Sequence, residues 1–70
     1  MNEIIINHVQ KMRTAAGITQ EDLALKVGVT RQTIIAVEKG NYTPSVLLAL
    51  KIAGVFSISV ESLFLIKNYE

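Results

Sequence analysis

Thr30, Arg31, Gln32 and Thr33 are four consecutive hydrogen-bonding side chains, and the apolar residues Ile34, Ile35, Ala36 and Val37 follow without a break. A helix starting at this run would keep its first turn polar and bury much of what comes after. The chemistry on offer is recognition, since no nucleophile–base arrangement surrounds these residues. The remainder of the chain holds no catalytic set. His8 is the single histidine and cysteine is absent, so no second imidazole or thiolate can share a metal with it. Glu21 and Asp22 are neighbours in sequence and diverge on a helix; they read as acids favoured by a helix dipole, not as a catalytic carboxylate pair. With no glycine-rich phosphate loop either, the expectation is a protein that is not an enzyme and takes no cofactor and no metal.

The elements that would position the polar run are punctuated at regular intervals. Asn7 precedes Val9 with Gln10 three residues on, a capping-box spacing, and Val9, Met12 and Ala16 mark one face of a first helix that Gly17 stops. Thr19 caps a second helix, with Asp22 at its third position, Ile18 placed to staple onto Leu23, and Leu23, Ala24 and Val27 turned inward. Gly28 ends it. Val29 and Ile34 repeat the staple, Thr30 the cap, and Gly40 closes a third helix after Lys39. A fourth helix runs from Pro44–Ser45, capped by Thr43 or Ser45, to about Gly54, with Leu47, Leu50 and Ala53 recurring as core positions. A short fifth starts at Ser59, with Ile58 and Leu63 as its staple. The end segments EIIIN (3–7) and LFLIKNY (63–69) are β-branched and aromatic instead, and read as strands pairing in a two-stranded antiparallel ribbon. Because an isolated pair is marginal in water, the ribbon is expected to serve mainly as docking surface for a second subunit.

Helices two and three are joined by only Gly28 and Val29, the signature of a helix-turn-helix, and the small Ala24 suits the point where the two helices cross. If the third helix is a recognition helix, its first turn enters the DNA major groove and must be polar, while its later residues pack it onto the domain. The charge pattern agrees. Residues 23–60 hold Lys26, Arg31, Lys39 and Lys51 against Glu38 alone, +3, while the remainder holds three bases against five acids, −2. That asymmetry favours a local binding face over sequence-blind attraction.

Seventy residues are expected to make one domain, 1–70, whose core is barely sufficient, because a chain this short buries only about 60% of its unfolded surface. Yet half the residues are apolar and the mean hydropathy is +0.39, with no disulfide to supplement the core. The surplus points to a homodimer. The longest apolar block, residues 46–60, is broken by Lys51 and shorter than the roughly 20 residues a bilayer requires. The N-terminal stretch does not read as a signal peptide, so the expected location is cytoplasmic, with no membrane partner.

The stretch GITQEDLALKVGVTRQTIIAVEKG (17–40), with NYTPSVLLALKIA after it, resembles the phage-repressor-like helix-turn-helix family, the lambda repressor, Cro or XRE type. The likeness extends from Val9 to Phe64 and implies an all-α, five-helix lambda-repressor-like domain, with the helix-turn-helix at about residues 19–39. It implies a sequence-specific transcriptional regulator, expected to be a repressor, that binds double-stranded DNA at a roughly palindromic operator. By the same likeness Arg31 and Gln32 take base edges, guanine and adenine respectively. Thr33 and Ala36 are second-line base contacts, Ala36 through a thymine methyl. Gln20, Thr30, Lys39, Asn41, Tyr42 and Thr43 face phosphates. Arg13 and Glu38 match a structural ion pair of the family. Ile35 departs from it, standing where relatives commonly carry a small or polar residue. An alternative within DNA binding is an antitoxin or accessory regulator whose main task is to bind a partner protein.

Overall fold

The structure, a computed structural model, describes residues 2–69, and the side chains of residues 2–68. In chain order it comprises β1 (Asn2–Asn7), α1 (Val9–Ala15), α2 (Gln20–Val27), α3 (Arg31–Lys39), α4 (Val46–Val55), α5 (Val60–Leu63) and β2 (Phe64–Tyr69). No helix among the described residues is long and apolar enough to cross a membrane.

Local chemistry accounts for most of the boundaries. Thr19, Thr30, Ser45 and Ser59 each sit in extended conformation at a helix N-terminus and accept from the backbone N–H three residues on. At Thr19 the box is complete, since the Asp22 carboxylate accepts in return from the Thr19 N–H at 3.0 Å. Gly28 and Gly40 close α2 and α3 in the left-handed conformation (φ 77° and 81°), which a side chain would penalise. Ser45, not Thr43, caps α4.

The first helix is a partial exception. Its N-cap is His8, which makes no side-chain cap, and Gln10 returns no capping bond. Asn7 belongs to β1 instead. Its Oδ1 still accepts from the Val9 N–H at 3.1 Å, but its Nδ2 donates to the Val37 carbonyl at 2.9 Å, thirty residues away. Ala16 is exposed, because α1 ends at Ala15 and Gly17 turns the chain away.

Val9, Leu23, Ile34, Val37, Ile52 and Leu63 are the largest fully buried side chains, so every helix contributes to one core. Ala24 of α2 is 2% exposed, and α2 packs closely against α3. In α4 the inward residues are Leu48, Ala49, Ile52 and Ala53. Leu47 and Leu50, expected inside, are 63% and 56% exposed. Once Ser45 sets the start of α4, the i, i+1, i+4, i+5 stripe from Leu48 fills the core and no room remains for a second one. The two strands pair antiparallel with Asn7 opposite Phe64, Ile6 opposite Leu65, Ile5 opposite Ile66 and Asn2 opposite Tyr69. A bond from the His8 N–H to the Leu63 carbonyl (3.0 Å) fixes the base of this ribbon to the helices.

Candidate nucleic-acid interface

The first turn of α3 is set by its cap. Thr30 Oγ1 accepts from the Thr33 N–H at 3.3 Å and lies 3.1 Å from the Thr33 hydroxyl. These two threonines therefore largely satisfy each other, and Thr33 is half-buried. Arg31 and Gln32 are exposed on the same turn, whereas Ile34 and Val37 of the same helix are fully buried. Ile35 and Ala36 are half-buried.

What holds α3 at its angle is a polar cluster behind it. Arg13 on α1 donates from Nε to Glu38 Oε2 at 2.7 Å and from Nη2 to Glu38 Oε1 at 3.3 Å. Its Nη1 donates to the Ile18 carbonyl at 3.0 Å, so the guanidinium braces the turn between α1 and α2 as well. The side chains are only 11% and 4% exposed. The hydrogen bond to Glu38 is the main cause that raises the Arg13 pKa above its ordinary value, with burial acting against it. Gln20, at the first position of α2, completes the cluster by donating from Nε2 to Glu38 Oε1 at 3.0 Å. The same carboxylate thus ties α1, α2 and α3 together. A primary amide has two N–H groups, so Gln20 keeps one for a ligand after serving Glu38. The acids Glu21 and Asp22 share the same helix turn, so any phosphate gripped there would meet their charge.

Gln20 and Arg31 line one groove together with Arg13, Thr14 and Glu21, so the first turns of α2 and α3 open onto a shared face. Tyr42 and Thr43 line a different groove, against Glu3, Ile4 and Ile5 of β1. Lys39 at the end of α3 and Asn41, Tyr42 and Thr43 on the segment linking α3 to α4 are all exposed. The contacts that sequence reading missed are the bond from Gln20 to Glu38 and that from Asn7 to Val37. Each joins residues at least eighteen positions apart, and no local pattern announces such a partner.

A helix-turn-helix family model matches residues 9–63. An uncharacterised HTH-type transcriptional regulator of Methanocaldococcus jannaschii is 50% identical over 64 residues, which are 91% of this chain and 97% of that one. A similar regulator of Bacillus subtilis, YgzD, is 53% identical over 58 residues, 83% of this chain and 88% of the relative. Among solved structures, the restriction-modification controller protein C.AhdI of Aeromonas hydrophila superposes with a TM-score of 0.72 at 33% identity, covering 77% of this chain and 82% of that one. A solved structure from Bacteroides fragilis, at 19% identity and a TM-score of 0.79 over 89% of this chain and all of that one, shares the fold. An all-α helix-turn-helix with a ribbon from its two ends thus defines the class, a DNA-binding transcriptional regulator and not an enzyme. Within that class, the chain belongs to the XRE-type helix-turn-helix family.

Proposed function

We propose that this regulator binds a roughly palindromic operator as a homodimer and represses from it, working in the cytoplasm as one domain. The observation that carries the reading is the split character of α3: Arg31 and Gln32 stand exposed on its first turn while Ile34 and Val37 are buried beneath. Arg31 takes a guanine edge and Gln32 an adenine edge, each by paired hydrogen bonds, with Thr33 and Ala36 behind them. The free amide hydrogen of Gln20 and the hydroxyl of Thr30 meet phosphates on one side. Lys39, Asn41, Tyr42 and Thr43 meet them on the other.

The dimer reading is supported by the apolar surface that α4 leaves open. Val46 is 77% exposed, and it lines a groove with Leu50, Val60, Phe64 and Ile5 of the ribbon. Ile66, 70% exposed, is paired directly opposite Ile5 and so stands on the same face of the ribbon. In this reading a second copy covers that surface, and the two recognition helices enter successive major grooves about 34 Å apart, one turn of DNA. The ribbon's other face, with Ile6 opposite Leu65, favours the second reading, an accessory or antitoxin role in which a partner protein docks there.

The test is selection from a random duplex pool with binding followed across a salt series. The expected outcome is a palindrome whose half-sites lie about one helical turn apart. Weak, steeply salt-dependent binding without enrichment would instead support the partner-protein role.

A further inference from the structure

Ile35 is a half-buried β-branched apolar residue that does not pack against the core. It lies four residues after Arg31, three after Gln32 and four before Lys39, so these side chains are its neighbours on the helix surface. The buried stripe of α3 runs through Ile34 and Val37. Met12, Ile18, Val29, Val55, Phe56, Ile58, Val60 and Phe64 are the half-buried apolar residues packed against the core, and Ile35 is not one of them. Nor does the helix ask for it, since isoleucine is a poorer helix former than alanine, glutamate or lysine. Its stiffness has a different value. In a helix a β-branched side chain is held in essentially one χ1 rotamer, so Ile35 presents a preformed apolar knob beside the two residues that offer hydrogen bonds.

In the major groove only thymine, of the four standard bases, offers an apolar group, its 5-methyl. Resting on the DNA-reading role proposed for α3, we propose that Ile35 determines specificity by packing on a thymine methyl next to the bases read by Arg31 and Gln32. The contact adds a fixed thymine to each half-site and places Ile35 beside Arg31 and Gln32 as a further base reader of α3.

The experiment replaces thymines of the selected operator one at a time with uracil, which keeps every hydrogen-bonding edge and lacks only the methyl. Binding of the wild-type protein and of Ile35→Ala is measured on each duplex, with a thermal melt of both proteins. One thymine per half-site is expected at which uracil weakens wild-type binding about fourfold, the factor for burying one methyl-sized group. Ile35→Ala is expected to bind the thymine and uracil duplexes equally at that position, and to melt close to the wild type. Ile35→Val, which retains a branched knob, is expected to restore part of the preference. Specific binding with no thymine that senses uracil would overturn the contact and leave the proposed function standing. Discrimination that survives in Ile35→Ala and disappears in Ala36→Gly would overturn it by assigning the methyl to Ala36. If no operator is selected at all, the reading and the contact fall together.

Discussion

Arg13, Gln20 and Glu38 show how a single carboxylate can do orienting work at a site it does not itself occupy. Glu38 is 4% exposed and receives bonds from Arg13 and Gln20, so it fixes the attitude of α3 and the orientation of the Gln20 amide at once. Removing one member of a pair this buried leaves the other charge uncompensated. Arg13→Ala is therefore expected to lower stability by up to about 3–5 kcal/mol, the full cost of breaking a wholly buried pair, measured by urea unfolding. A loss below 1 kcal/mol would mean that solvent carries most of the burden. Arg31 should behave in the opposite way, because it is exposed and outside the core. Arg31→Ala is expected to leave unfolding unchanged and to cost about 1–3 kcal/mol of operator affinity, with relaxed preference at one position per half-site. An equal loss on every sequence would make Arg31 a phosphate contact. The ion pair was legible in the sequence through the family likeness, whereas the bond from Gln20 was not. Gln20 is polar and stands at a helix start, which marks it for a phosphate, and nothing nearby reveals that a carboxylate eighteen residues on would claim one of its hydrogens first.

Helix starts were the most readable elements, because a cap and the backbone N–H it accepts from lie within four residues and need no knowledge of the fold. The Thr19–Asp22 box is the clearest case, and it carries a pH dependence. The bond from the Thr19 N–H, followed by that from the Thr19 hydroxyl, holds the Asp22 pKa below the ordinary carboxylate value. A carboxylate whose folded value lies below its unfolded one contributes stability above that range and loses it as pH falls through the folded value. Replacing Asp22 with Asn is expected to flatten this part of the acid side of the stability curve, measured by thermal melts between about pH 6 and pH 2. An unchanged slope would show that the box contributes nothing there. The phase of α4 was not readable in the same way. VLLALKIAGV is apolar on nearly every side, so periodicity could not choose between the Leu47–Leu50 stripe and the Leu48–Ile52 stripe. The choice was made by packing against α2 and α5, which no window of sequence contains. Likewise Asn7 has the local signs of a cap, but its main partner is the carbonyl of Val37.

At the scale of the molecule, the exposed stripe that periodicity misplaced becomes the surface on which the proposed dimer rests. Leu50→Lys is expected to convert the protein to a monomer in sedimentation and to reduce affinity for the full operator far more than for a single half-site, since avidity between the half-sites is lost. An unchanged mass would move the interface elsewhere, with removal of residues 65–70 as the companion measurement on the ribbon. The ribbon itself has one more consequence, which concerns time. Each of its pairs joins residues at least 57 positions apart, beginning with Asn7 and Phe64, while the caps and helix turns close over three or four. Contacts so distant in sequence are slow to form and local ones fast. During synthesis the three isoleucines of β1 are made before β2, so they wait for their partner strand. The five helices between the strands can assemble meanwhile, so the growing chain would carry an unpaired, sticky edge until β2 follows.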